Sequence, residues 1–485
     1  MTNPDILADR RKKLEAIRQL GVNPFGRRFS DVTAAQSIHI AFDEKEGDTV
    51  RMAGRVTALR DHGKTVFADI VDRSGKIQVF LRKKDLADDF EIVKNLEVGD
   101  IIGVEGVVGK TRMGEVTVFA VKVELLCKSL RPLPEKWHGL KNVEIRYRRR
   151  FLDLVSNRES MEVFLKRSKI ITELRKVLDS TGFLEVETPM MQAIPGGATA
   201  KPFITHHNAL GLDLYMRIAP ELFLKQLLVG GLERVYEIGR CFRNEGLSTR
   251  HNPEFTMLEL YQAYGNCEDM MTLCEKLIES ACGAVSDTTT LNWQGEEIDL
   301  SPPWPREKFT ELIARETGIN PWDEKAAREL LESRDIEAPS EHAFVLEELF
   351  DEFVEKKLVQ PTFVVEQPVE LTPLCRPKPD DERVSDRFEL FIAGMEFGNA
   401  YTELNDPDLQ RKFFEQQLER KSEETVGKLD EDFLVALEHG MPPAGGMGIG
   451  VDRLVMLLTG METIRDVVLF PLLRPRRDET DEDGE

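Results

Sequence analysis

Three short runs hold the residues best suited to chemistry. The first is 233–261. Residues 234–243 read as a strand, 244–254 as a polar loop with Gly246 at a turn, and 255–261 as a second strand. Alternation along the second strand puts Phe255, Met257, Glu259 and Tyr261 on one face. An aromatic plate, a carboxylate and a phenol make an unusual core face. Arg243, Glu245, Arg250 and His251 lie in or beside the loop. An arginine fork suits a phosphate there, because it holds two oxygens at once. A surface hairpin with solvated charges accounts for the same residues.

The second run is 445–453, GGMGIGVDR, leading into apolar residues 454–458. Glycines at alternate positions let a backbone or a ligand approach closely, and close packing alone explains them too. Arg453 falls in the first turn of the following helix, within reach of a phosphate. The third run, 389–403, is a strand pair turning near Gly394 and holding Glu389, Glu396, Asn399 and Glu403. Converging carboxylates repel unless cations lie between them, and Mg2+ bridging to ATP phosphates would supply those cations. A solvated edge strand is the alternative. Glu396 and Asn399 have opposite parity, so one face holds both only through a bulge. Two GKT tripeptides, at 63–65 and 109–111, are not phosphate loops. The glycine such a loop needs five residues earlier is Ala58 in one case and Val104 in the other.

These runs need a scaffold. Residues 4–20 read as a charged helix. Short strands follow at 50–60, 65–72, 76–81, 101–110 and 116–126, broken at DHG, RSG and RMG turns. Five strands with a helical connection near 85–95 predict a small Greek-key barrel of the OB type. Residues 131–150 carry seven basic residues against Glu135 and Glu144 and read as a linker, either solvated or touching RNA. The expected division is 1–130 for helix and barrel, 131–150 for the linker and 151–477 for a larger α+β domain. That domain begins with a helix over 158–180 behind Asn157 and carries a helical insertion near 326–357. Residues 478–485 are expected to be an acidic, disordered tail.

Composition agrees with a soluble globular chain: 41% hydrophobic and 31% charged residues over 485 positions. No apolar leader opens it and no stretch approaches the ~20 apolar residues of a membrane span. Six cysteines without a CxxC pair disfavour zinc and a disulfide framework, so a reducing cytoplasm is expected. The net charge of −22 is uneven. Residues 1–150 hold 29 Lys+Arg against 22 Asp+Glu, and the rest hold 36 against 65. A phosphate backbone would favour the basic part, although an acidic body also serves solubility alone.

Taken together the runs resemble the class II aminoacyl-tRNA synthetases. Residues 181–189, TGFLEVETP, look like the family's first motif, a helix and strand ending in proline at a dimer interface. Phe242-Arg243-Asn244-Glu245 through Phe255 looks like the second, and residues 448–453 like the third. Stretches 130–154 (LRPLPEKWHGLKNVEIRYRRRFLDL), 250–261 (RHNPEFTMLELY) and 399–407 (NAYTELNDP) are similar to the lysyl-specific branch of bacterial type. The resemblance implies an antiparallel-sheet catalytic domain, a homodimer, and substrates ATP, L-lysine and tRNA(Lys). It implies ATP binding by Arg243, Glu245, His251, Asn252, Phe255 and Arg453, with Phe255 on adenine and with Arg243 and Arg453 acting in catalysis. Mg2+ would lie at Glu389 and Glu396. Lysine would lie at Gly197, Glu221, Glu259, Tyr261, Asn399 and Glu403, and the anticodon at Phe67, Gln78 and Glu115. Carboxylates beyond the metal pair suit a substrate with two ammonium groups and would repel aspartate. Aspartyl- or asparaginyl-tRNA synthesis, a non-catalytic tRNA-binding protein and a tRNA-independent protein lysylase remain the competing readings.

Overall fold

Alternating apolar residues close the N-terminal region into a barrel. The computed structural model describes residues 4–134, 140–198, 200–420 and 429–475. Its first strands are β1 (Thr49–Asp61), β2 (Thr65–Val71), β3 (Lys76–Arg82), β4 (Ile101–Lys110) and β5 (Val116–Cys127), paired in the order β1-β2-β3-β5-β4 and closed by β4 on β1. Every second residue turns inward: Val66, Ala68 and Ile70 on β2, and Ile77, Val79 and Leu81 on β3, are buried. Helix α1 (Pro4–Gln19) adds Leu14 and Ile17 to the buried set.

The chain parts into two units, Met1–Asn142 and Val143–Glu485. This differs from a linker running through residue 150. Val143–Arg148 and Arg150–Ser156 are helical, and the buried Asp153 explains why. It accepts from Arg146 at 2.9 Å and Arg150 at 2.7 Å, so two of the basic residues are structural counter-ions. Residues 135–139 and the tail 478–485 lie outside the described residues.

The second unit is built on one eight-stranded sheet. In chain order its strands are β6 (Leu184–Glu185), β7 (Arg234–Phe242), β8 (Glu254–Ala263), β9 (Arg306–Lys308), β10 (Thr362–Val365), β11 (Arg387–Ile392), β12 (Met395–Thr402) and β13 (Ala444–Gly450). Their spatial order is β9-β10-β11-β12-β13-β8-β7-β6, antiparallel except for the edge pairs β9/β10 and β6/β7. Helices α2 (Arg158–Ser180) and α4 (Cys267–Gly283) cover one face. Ile170, Leu174, Leu277 and Ile278 belong there to the same core as Leu258, Leu260, Met447 and Ile449. The opposite residues of β8 and β13 face away from that core. Helix α3 (Glu221–Val229) buries Glu221, Leu224, Lys225 and Leu228 along one stripe. The helical insertion is split into α5 (Glu324–Glu332) and α6 (His342–Phe353), joined by a core of Leu331, Val345, Leu346 and Leu349. Helix α7 (Val451–Thr459) follows β13 directly.

Candidate active site

The sheet face away from α2 and α4 lines a cavity of about 440 Å3, within the range of small-molecule sites. Strand β8 supplies Phe255, Met257, Glu259 and Tyr261, the face that alternation predicts. Gly197, Glu221, Arg243, Glu245, His251, Asn252, Glu389, Glu396, Asn399 and Arg453 line the same cavity. Of the residues expected to bind ATP, Mg2+ or lysine, Glu403 alone is not on the wall. It is buried behind Gly446, where an added Cβ would run into its Oε1 and the Tyr261 ring.

At one end the arginines meet aromatic groups. The Arg243 guanidinium stands 5.1 Å over the Phe255 ring. Arg453 donates from Nη1 to the Glu396 carbonyl at 2.6 Å and from Nη2 to His251 Nε2 at 3.1 Å. Arginine only donates, so His251 Nε2 accepts and its proton sits on Nδ1, which donates to Ser248 Oγ at 3.0 Å. Burial, then Arg453, holds the imidazole below its usual range and so neutral. Asn252 donates to the Glu254 carbonyl at 2.6 Å. One buried carboxylate ties this end together. Asp452 accepts from Arg167 of α2 at 2.6 Å and from the Thr256 backbone N–H of β8 at 2.7 Å, which pins the first turn of α7.

At the acidic end, β11 and β12 carry the bulge that parity demands. Glu389 pairs with Asn399 and Leu390 with Gly398, but Phe391 pairs with Glu396, leaving Phe397 extra. Glu396 therefore shares a face with Glu389 and Asn399. Gln367 donates to Glu389 at 2.8 Å, and Arg387 donates to Glu389 and, at 2.9 Å, to Asn399. Burial keeps the Glu389 carboxyl above its usual range, with Arg387 opposing and Glu396 adding. Glu347 of α6 lines the same end, and Asp351 beyond it is pushed up to about 7 by burial and Glu355. No group of three or more metal-binding side chains occurs among the described residues. Two hard carboxylates are, however, what Mg2+ takes from a protein when phosphates and water complete its shell, so Glu389 and Glu396 fit that ion.

Between these ends lies a third environment. Glu221 accepts from Lys225 at 2.6 Å and from the Tyr401 hydroxyl. Tyr261 donates to Glu259 at 3.2 Å. Burial, and then Glu221, pushes the Glu259 carboxyl up to about 8. Gly197 has φ +85°, and a Cβ there would sit 2.8 Å from the Glu221 Cβ, so only glycine fits. Sequence reasoning passed over Lys225, Tyr401, Arg387 and Asp452. The Glu221–Lys225 spacing of four on a short helix was the one readable signal. The other partners come from distant strands.

On the barrel, the outer residues of β2, β3 and β5 form a separate candidate site. Phe67 pairs with Phe80 and Phe80 with Phe119, with ring centroids 4.8 and 5.6 Å apart. Gln78 lies one alternate position along β3 from Phe80 and accepts from Thr117 at 2.9 Å. Glu115 is exposed in the β4–β5 turn.

An OB barrel ahead of a largely antiparallel sheet, whose open face gathers arginines and buried carboxylates, defines a class. Residues 142–474 match the family described as tRNA synthetases class II (D, K and N), and residues 50–133 match the OB-fold nucleic acid binding domain. The chain belongs to these class II tRNA synthetases. Within them it is similar to lysine–tRNA ligases. It is 52% identical to that of Syntrophomonas wolfei over 478 residues, 97% of each chain. It is 50% identical to those of Moorella thermoacetica (98% of this chain, 99% of the relative) and Bacillus subtilis (97% and 98%). No helix among the described residues is long and apolar enough to cross a membrane.

Proposed function

We propose that the chain is a ligase of protein biosynthesis that activates L-lysine with ATP and transfers it to tRNA(Lys). The observation that carries the choice of lysine is the trio of buried carboxylates Glu221, Glu259 and Glu403. The family also includes aspartate and asparagine enzymes. Buried carboxylates repel aspartate, whereas lysine brings an α- and an ε-ammonium. Leaving such groups unpaired with the wrong substrate costs up to ~10⁴–10⁵ in selectivity.

The reaction is in-line attack of the lysine carboxylate on the ATP α-phosphorus, giving lysyl-adenylate and pyrophosphate, then transfer to the terminal ribose of tRNA. No side chain serves as nucleophile. Phe255 stacks adenine, Glu245, His251 and Asn252 hold the nucleotide, and Arg243 and Arg453 stabilise the charge that grows on the phosphates. His251, kept neutral by burial and then by Arg453, accepts from that arginine rather than repelling it. Glu389 and Glu396 would hold Mg2+, whose chemistry there is neutralisation of phosphate charge. Gly197, Glu221, Glu259, Tyr261, Asn399 and Glu403 form the lysine pocket, with Glu403 acting from behind Gly446. Residues 1–130 read the anticodon through Phe67, Gln78 and Glu115, with a base stacked on Phe67. The enzyme works in the cytoplasm. Exposed Leu184, Met190, Met191, Ile204, Leu210 and Leu212, around the first motif, support a homodimer, which sedimentation equilibrium checks against the 55.2 kDa chain mass.

The test is ATP–pyrophosphate exchange with each of the twenty amino acids, for wild type and Glu259→Gln. Lysine alone is expected to support exchange, and the variant to lose it. Another amino acid in that role would overturn the substrate. No exchange at all with magnesium present would overturn the enzyme, leaving RNA binding by the barrel as the second reading.

A further inference from the structure

Lys225 has no part in the reaction above, yet it is a fully enclosed charge beside the pocket. It sits one helical turn from Glu221 on α3, with Nζ 2.6 Å from Glu221 Oε1 and 2.5 Å from Glu403 Oε2. It is 0% exposed, against 5% for Glu221 and Glu259 and 1% for Glu403. The Tyr401 ring lies 5.3 Å from the ammonium, and its hydroxyl donates to the same Glu221 oxygen. Glu403 Oε1 is buried and finds no donor among the described residues.

The charges balance only if Lys225 is counted. Once all are ionised, Glu221, Glu259 and Glu403 bring three negative charges and Lys225 one positive, leaving two. Two is the number of ammonium groups on free lysine. We propose that Lys225 is a positioning residue that sets this balance: it holds Glu221 and Glu403 on either side of one internal cation, so the pocket offers substrate two negative charges and not three. The inference rests on the lysine reading above.

Even with the cation, Glu259 and Glu403 of the empty pocket keep their protons to about pH 8, and without it a proton would be held there to still higher pH. A protonated carboxyl offers a donor where an ammonium needs an acceptor. Burial opposes the charge on Lys225, but Glu221 and Glu403 outweigh it and hold its pKa above the usual range. Burial pushes Glu403 up to about 8, with Lys225 pulling down and Glu221 pushing up. Glu259 reaches about 8 through burial and Glu221, against Tyr261, Arg243 and Arg217. Burial above all keeps the neighbouring Tyr261, Tyr401 and Cys375 protonated.

The test is lysine binding to the full-length enzyme by isothermal titration calorimetry from about pH 6 to about pH 9. It runs beside pyrophosphate exchange for wild type, Lys225→Met, Lys225→Arg and Lys225→Met with Glu221→Gln. Wild-type affinity is expected to rise as pH climbs through about 8, where Glu259 and Glu403 lose their protons. Lys225→Met should weaken lysine by about 10–100-fold, the worth of a charged hydrogen bond, with KM for ATP unchanged. Its rise in affinity should also move to higher pH, because Glu403 has lost its cation. Lys225→Arg should keep the wild-type profile. The double variant, with two net negative charges again, should bring the profile back toward wild type. Lys225→Met with wild-type affinity and pH profile overturns the proposal, as does a double variant whose pH profile stays where the single variant's lies. Should Lys225→Met fail to fold, the double variant, which leaves no unpaired carboxylate at 221, is compared with wild type, and a pH profile still moved to higher pH overturns the proposal. Wild type that does not use lysine overturns the functional reading instead.

Discussion

At the scale of single residues, the site stores ionisation work that only substrate relieves. Glu259 is the measurable case, because its carboxyl moves from an ordinary 4.5 to about 8, through burial first and Glu221 second. In the unfolded chain it is ionised above about pH 4.5, while the empty fold keeps its proton to about pH 8. The fold binds more protons across that window, so the empty enzyme loses stability as pH rises through it. Glu259→Gln removes the titrating group and is expected to flatten that loss. Relative to wild type it should gain stability between about pH 5 and pH 9 by a few kcal/mol at most, roughly 1.4 for each tenfold change in proton affinity. Urea unfolding at the two pH values measures this. A variant with the same pH slope as wild type would count against Glu259 as the buried acid.

Among the elements, β13 shows how a glycine run can be uneven in what it demands. A Cβ at Gly446 would run into Glu403 Oε1 and the Tyr261 ring, both of them buried. A Cβ at Gly448 would be tight only on the terminal methyl of Met257, at 3.1 Å, with Glu259 Cγ in ordinary contact at 3.7 Å, and one at Gly450 would meet only the Arg453 side chain, at 3.8 Å. Gly446→Ala is therefore expected to raise KM for lysine by about tenfold or more, by displacing a charged pocket group. Gly448→Ala should cost little, since a methionine end swings aside. Exchange kinetics on the two variants decide it, and equal effects would mean that the run packs uniformly. The bulge at Phe397 is the second device at this scale. One extra residue turns Glu396 onto the face of Glu389, which regular pairing would forbid.

For the whole molecule, the proposed function assigns activation and tRNA reading to different units of the chain. The barrel's aromatic row lies in Met1–Asn142 and the cavity in Val143–Glu485. Phe67→Ala should lower kcat/KM for tRNA charging by about 5–150-fold, the ~1–3 kcal/mol of one stacked base. Lysine-dependent pyrophosphate exchange without tRNA should not change. Added salt should weaken charging more steeply than exchange, since only charging depends on phosphate contacts made by the basic N-terminal part. An exchange defect in Phe67→Ala equal to its charging defect would break this division of labour.

Sequence alone determined whatever rests on local period and on ordered motifs. Alternation placed the five barrel strands and the Phe255–Tyr261 face, because a strand's two sides are set residue by residue. The glycine run marked the turn into α7, and the resemblance of three motifs named the family. What tertiary structure decided is everything that depends on partners far apart in the chain. Asn157 shows the difference at small scale: it stands at the N-cap of α2 as its type suggests, but its side chain donates to Asp153 at 2.6 Å instead of capping. Arg146 and Arg150 read as loose basic residues until Asp153 is seen to be buried between them. Lys225 reads as one more helix lysine, because nothing within ten residues tells that Glu403, nearly 180 positions on, closes over it. Burial turns such a residue from a solvated charge into a counter-ion, and burial is a property of the packed whole.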